Sequence, residues 1–168
     1  MPREIEPRLF RRVMGRFATG VTVITAREGE DVRGMTATAF MSGSLDPPLC
    51  VVSIAKRAQM HKVLLKAGHY GVNILADGQE EYSRHFAGRR ARTLEIGFAE
   101  IAGVPVLADA CGRIATEIAA RHDCGDHTLF VGHILHIDAD DRAPLVYHAG
   151  RYGGFIPGET DETVPEFW

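Results

Sequence analysis

Apolar residues in this chain are gathered into short, β-branched runs, each closed by a turn signal, and that pattern excludes most helical architectures. Val21 to Ala26 reads Val-Thr-Val-Ile-Thr-Ala, followed by the turn Glu28-Gly29-Glu30-Asp31 and a second β-prone run from Val32, which together signal a hairpin. Leu49 to Ala55, started by Asp46-Pro47-Pro48, is nearly continuous apolar sequence and is expected as a strand buried on both faces. His69–Leu75, Thr128–Ile137 and Pro144–His148 repeat the theme ahead of the Gly-rich Gly150-Arg151-Tyr152-Gly153-Gly154. Three stretches have helical spacing instead. Leu9, Phe10, Val13, Met14 and Phe17 form a stripe opposite Arg11, Arg12 and Arg16, entered after Pro7 and ended near Gly20. Ala58–Ala67 places Met60, Val63 and Leu64 on one face, and Gly78–Ala87 sets Tyr82 and Phe86 four apart. Arg113–His122 fits either period, because Arg113, Glu117 and Arg121 share a face of a helix and of a strand alike. Arg89–Arg92 is expected as an exposed, mobile loop.

The 168 residues suit one domain, expected as 1–168 with a core over 8–156 and an acidic tail over 157–168. Lys plus Arg (19) against Asp plus Glu (22) gives a net charge of −3, which argues against a basic nucleic-acid-binding surface. Cys50, Cys111 and Cys124 are odd in number and lack CxxC spacing, so neither a disulfide framework nor a thiolate metal site is expected. No apolar run approaches the roughly 18 residues of a membrane span, and Leu9-Phe10 runs straight into Arg11-Arg12 rather than into a signal core. The expectation is a cytoplasmic protein with no membrane or nucleic-acid partner.

Three features are candidates for chemistry. Gly34 to Leu45 is twelve residues without a charge, rich in small hydroxyls, a composition that offers hydrogen bonds to a planar carbonyl-bearing ligand or simply makes a Thr-rich strand and a Ser-rich turn. Lys56-Arg57 stands between a strand and a helix, where two cations and helix-start amides suit a phosphate, although a solvated loop has the same composition. His122, His127, His133 and His136 with Cys124 and Asp126 suggest a metal, but on a regular strand His133 and His136 point to opposite faces and no HExxH occurs, so no metal site is expected. Gly125-Asp126-His127 is a turn in which a carboxylate can orient an imidazole. Neither GxGxxG after a strand, nor a P-loop, nor GxSxG is present.

The order of Phe17-Ala18-Thr19-Gly20-Val21-Thr22-Val23-Ile24-Thr25, Gly34-Met35-Thr36-Ala37 through Ser44-Leu45-Asp46-Pro47-Pro48, Val72-Asn73-Ile74-Leu75, Phe86-Ala87-Gly88, Gly103-Val104-Pro105-Val106-Leu107, Gly125-Asp126-His127 and Tyr147-His148 with Gly150-Arg151-Tyr152 resembles the flavin reductase-like family over about Phe10 to Phe155. These are short-chain NAD(P)H:flavin oxidoreductases that serve two-component monooxygenases. The resemblance implies a mainly β fold with flanking helices, a split β-barrel that forms a homodimer, and it turns Arg113–His122 towards a strand. It also implies FMN or FAD as flavin, NADH or NADPH as hydride donor, and a flavin-dependent monooxygenase as the partner that receives reduced flavin.

By the same resemblance the isoalloxazine would contact Thr36, Ala37, Thr38 and Ala39, and the flavin phosphate Ser53, Ile54, Ala55, Lys56 and Arg57, with further contacts at Phe86 and Ala87. His127 is expected to orient the nicotinamide, with Tyr152 closing the same pocket. Many relatives have Asn or Ser where Thr38 and Ala39 stand, and Ser or Thr in place of Ala58, which implies loose, exchangeable flavin. Two other readings stay open: a protein that keeps its flavin tightly and acts on another small substrate, and a flavin- or haem-binding module without turnover.

Overall fold

The computed structural model describes residues 4–89 and 93–159. Its elements are α1 (Pro7–Met14), β1 (Thr19–Gly20), β2 (Thr22–Glu28), β3 (Asp31–Ala37), β4 (Phe40–Ser44), β5 (Leu49–Ala55), α2 (Gln59–Lys66), β6 (His69–Ile74), α3 (Glu80–Phe86), β7 (Phe98–Ile101), β8 (Val104–Leu107), β9 (Gly112–Cys124), β10 (His127–Ala139), β11 (Leu145–His148) and β12 (Arg151–Gly154). Seven strands form an antiparallel sheet in the order β3-β2-β6-β9-β10-β5-β4; β1-β11-β12 and β7-β8 form two smaller sheets. The fold is therefore mainly β with short flanking helices.

The large sheet is not a closed barrel, since no ladder joins its edge strands β3 and β4. Chain connectivity nevertheless curls it. Ala37 ends β3 and Phe40 begins β4, and three peptide units reach at most about 11 Å. Flat, seven strands at about 4.8 Å spacing would hold those edges about 29 Å apart. The sheet thus rolls until its edges meet at one corner, and Thr38-Ala39 is that corner.

Inside the roll, Ile24, Val52, Ile54, Leu64, Tyr70, Val72 and Phe130 pack as one cluster; Val21, Val23, Leu75, Leu107 and Leu145 form a second. Polar groups in this interior are paired. The Asn73 amide donates to the Val23 carbonyl (2.8 Å) and to Thr25 Oγ1 (3.0 Å), and its oxygen accepts from the Leu107 N–H (2.6 Å), tying β6 to β2 and β8. The Tyr70 hydroxyl donates to the Phe130 carbonyl at 3.3 Å with the Cys50 thiol 3.7 Å away, and burial pushes both side chains' pKa values up.

Several local expectations shift. α1 stops at Gly15, short of Gly20. β5 alternates, with Cys50, Val52 and Ile54 inside and Leu49, Val51, Ser53 and Ala55 half-buried, so it is not covered on both faces. Arg113–His122 lies within strand β9. A register shift between Ile134 and His136 pairs His133 with Glu117 and His136 with Ala115. That bulge brings the two histidines to one face, against the regular-strand expectation. Even so, no group of three or more His, Cys, Asp or Glu suited to a metal occurs among the described residues. The arginine cluster expected as a loop falls largely at 90–92, and most of the acidic tail at 160–168, outside the described residues.

Candidate functional site

Thr38 and Ala39 are exposed at the corner where the sheet edges meet. Their surroundings are pinned and they are not: Thr22 Oγ1 donates to the Ala37 carbonyl at 2.7 Å, and the Ser53 N–H to the Ala39 carbonyl at 3.0 Å. The N–H groups of Thr38 and Ala39 have no protein partner among the described residues. Two main-chain donors are therefore left open inside a hydrogen-bonded frame.

Two cavities meet at this corner. The larger, about 550 Å³, is walled by Thr38, Ala39, Met41, Val51, Ser53 and Leu129 on the sheet side and by Phe10, Met14 and Phe17 around α1. A smaller one of about 230 Å³ is lined by Thr36, Ala37, Thr38, Ser83, Ala87 and Tyr152. Thr38 and Tyr147 line both. The smaller wall is held by a chain of contacts: Thr36 Oγ1 donates to the Ser83 carbonyl at 2.6 Å, Ser83 Oγ lies 2.8 Å from the Tyr152 hydroxyl, and the Tyr147 and Tyr152 rings tilt together with centroids 5.3 Å apart. Arg84 sits over Tyr152, 5.2 Å from the ring centre.

Beyond Ser53, β5 runs on to a cationic end. Lys56 donates its N–H to the Asp126 carbonyl at 2.9 Å and pairs its ammonium with Asp123 at 3.2 Å. Arg57 forms no ion pair among the described residues. Ala58 occupies the N-cap of α2 and supplies no side-chain cap; the His61 N–H turns back to the Ala58 carbonyl at 3.1 Å, and the Gln59 and Met60 amides, without a partner among the described residues, remain open to an anion. His127 pairs with Ala55 across β10 and β5, and its Nδ1 lies 2.7 Å from Asp126. Hydrogen bonding from His127, then its charge, holds the Asp126 carboxyl below the usual carboxylate range. Against the frame of one corner and one cationic end, a ligand with a planar carbonyl-bearing head and an anionic tail fits the donor set.

A model of the flavin reductase-like domain matches residues 14–155. The chain belongs to the flavin reductase-like family. It is 45% identical over 152 residues to an NADH-dependent flavin reductase of a Rhodococcus species, covering 89% of this chain and 86% of that protein. Identity to the reductase component of 4-hydroxyphenylacetate 3-monooxygenase from Thermus thermophilus is 40% over 144 residues, 85% of this chain and 93% of the relative. The solved flavin reductase PheA2 superposes with a TM-score of 0.88 at 41% identity, over 91% of this chain and all of PheA2.

The residues assigned through the family motif fall into two groups and two single residues. Thr36, Ala37, Thr38, Ala39 and Ser53 with Ala87 and Tyr152 line the two cavities. Ala55, Lys56, Arg57 and His127 gather at the cationic end and line neither, so within one chain His127 and Tyr152 are not brought into one cavity. Ile54 points into the core and has only its main chain to offer. Phe86 packs against Gly34, where any Cβ would overlap its ring, and lines a different hollow with His85 and Arg33. Ser83, Leu129, Val51 and Tyr147 were not assigned from sequence. For Tyr147 a signal existed: Ala149 (φ 48°) and Gly150 (φ 83°) make a two-residue hairpin turn that sets Tyr147 opposite Tyr152.

Proposed function

We propose that this chain is an NADH-dependent flavin reductase that supplies reduced flavin to a partner monooxygenase. The observation that supports it most is the corner itself, two amides at Thr38-Ala39 unpartnered among the described residues and beside an apolar cavity, on the same strand β5 whose far end carries an uncapped helix start and Arg57. Bound flavin supplies the hydride-accepting ring system, and the nicotinamide cofactor the hydride.

The chain's own part is positioning. The Thr38 and Ala39 N–H groups donate to the ring carbonyls and hold the edge on which negative charge develops. Met41, Val51 and Leu129 exclude water from the ring's flank, and Ser53, Arg57 and the α2 amides hold the phosphate. Tyr152 places the nicotinamide, and His127, oriented by Asp126 but outside the Tyr152 cavity of its own chain, joins it from a second copy; no protein group needs to move a proton to drive hydride transfer.

Loose holding suits a flavin that leaves, and Ala39 and Ala58 each lack a side-chain hydrogen bond that would tighten it. We further propose that the curled sheet works as a split barrel in a homodimer. Leu9, Phe10, Val13 and Met14 of α1 are all exposed, and none of that helix is buried within one chain, so a second copy has an apolar face to cover. A reducing cytoplasm suits the three free cysteines, and the chain is taken to act as a single reductase domain.

Anaerobic NADH oxidation with FMN, FAD and riboflavin in turn, followed by transfer to a flavin-dependent monooxygenase, tests the reading. Flavin-dependent NADH consumption with product formation by the oxygenase is expected. Absence of NADH oxidation with every flavin contradicts it.

A further inference from the structure

The β11–β12 hairpin has a second face that the reading above does not use. Tyr147 and Tyr152 face the smaller cavity, whereas Val146 opposite Gly153, and His148 opposite Arg151, alternate to the other side. There they line a separate hollow of about 520 Å³ together with Arg16 at the end of α1. Neither Arg16 nor Arg151 forms an ion pair among the described residues. A carboxylate at its margin is Asp77, beside Gly154. Three potential donors thus face an open hollow in which, among the described residues, none of them is ion-paired.

Gly153 has no structural reason to be glycine. Its φ is not positive, and a Cβ there would meet nothing within 4 Å. Glycine weakens a strand, and close approach of a ligand or another backbone is one of its uses there. A side chain at this position would project into the hollow.

We propose that Arg16, His148 and Arg151 form an anion subsite for the diphosphate of the nicotinamide dinucleotide. This rests on the reductase reading, which gives the reaction two phosphate-bearing ligands and assigns the flavin's phosphate to the far end of β5. Tyr152 lines both this hollow and the smaller cavity. Because β12 is the outer strand of its sheet, a flexible diphosphate passes round Gly153-Gly154 without crossing a ladder. The cations are exposed, so their pull weakens with salt.

The test compares native protein with the double variant Arg16→Ala/Arg151→Ala and with Gly153→Val. Three quantities are read: KM for NADH at low and high salt, KM for 1-benzyl-1,4-dihydronicotinamide, which has no phosphate, and FMN affinity by fluorescence quenching. For the double variant a roughly tenfold rise in the NADH KM at low salt is expected, shrinking at high salt. Gly153→Val is expected to raise it several-fold by occupancy alone, with FMN affinity and the benzyl donor unchanged in both variants. An unchanged NADH KM overturns the proposal, as does a loss confined to FMN affinity or an equal loss with both donors. Native protein that oxidises neither donor overturns the reductase reading and this subsite together.

Discussion

The interior around Asn73 and the corner at Thr38-Ala39 lie in the same curled sheet, yet they are opposites in polar accounting. Asn73 uses both ends of its amide on three partners and is wholly buried. Thr38 and Ala39 are exposed, with N–H groups that no protein atom satisfies among the described residues. A hydrogen bond completed inside the protein fixes strand order; one left open at the meeting of two edges is available to something else. The same contrast runs across β5, whose Val52 and Ile54 are sealed in the core while Val51 and Ser53 wall the larger cavity.

If that division is right, mutations on the two sides separate stability from binding. Asn73→Ala has the largest expected effect, because it strands the buried Leu107 N–H and takes a donor from the Val23 carbonyl and from Thr25 Oγ1, which keeps only its bond to the Pro105 carbonyl; a loss of roughly 3 kcal/mol is expected in urea unfolding. Any surviving folded fraction should keep its FMN affinity. Gly34→Ala drives a methyl into the Phe86 ring and displaces α3, which is expected to cost about 1–3 kcal/mol. Since α3 supplies Ser83 to the Tyr152 wall, the NADH KM should rise as well, a mixed effect that sharpens the boundary.

On the open side the signs reverse. Arg57→Ala is expected to leave the melting temperature nearly unchanged while weakening FMN about tenfold relative to riboflavin, which has no phosphate. Equal weakening of both flavins would move the phosphate elsewhere. His127→Ala should raise the NADH KM several-fold with a smaller change in flavin affinity, and unchanged NADH kinetics would remove His127 from the mechanism.

The smallest expected effect lies on neither side. Asp138 is held below the usual carboxylate range first by hydrogen bonding from Arg113, at 2.8 and 3.1 Å, then by His136, with burial opposing. The folded state therefore binds that proton less readily than the unfolded one. Its stabilisation is complete above the ordinary value of 3.8 and fades as pH falls through the lower folded value. Asp138→Asn should cost no more than about 1 kcal/mol at neutral pH, and the gap from native protein should close in acid.

Much of this was legible from local pattern. The β2–β3 hairpin, α2, α3 and the long β10 follow from β-branched runs, helical spacing and glycine turns. Strands β7 and β8 were not read as such, being four residues each around a turn in which Ala102 (φ 50°) and Gly103 (φ 77°) both take positive φ. Family motif assigns Thr36 to Ala39 to a ligand, an expectation; what the motif does not show is the sheet order, in which β3 and β4, adjacent in sequence, are opposite edges in space. The packing of Phe86 on Gly34, distant in sequence, and the bulge near Leu135 that reunites His133 with His136 leave no trace in residue spacing.

Hydrogen exchange of the Thr38 and Ala39 amides, with and without saturating FMN, tests the central claim most directly. Marked slowing at both, with no change at the β6 and β2 amides around Asn73, is the expected result. Exchange at 38 and 39 that is indifferent to FMN, at concentrations that quench its fluorescence, would contradict it.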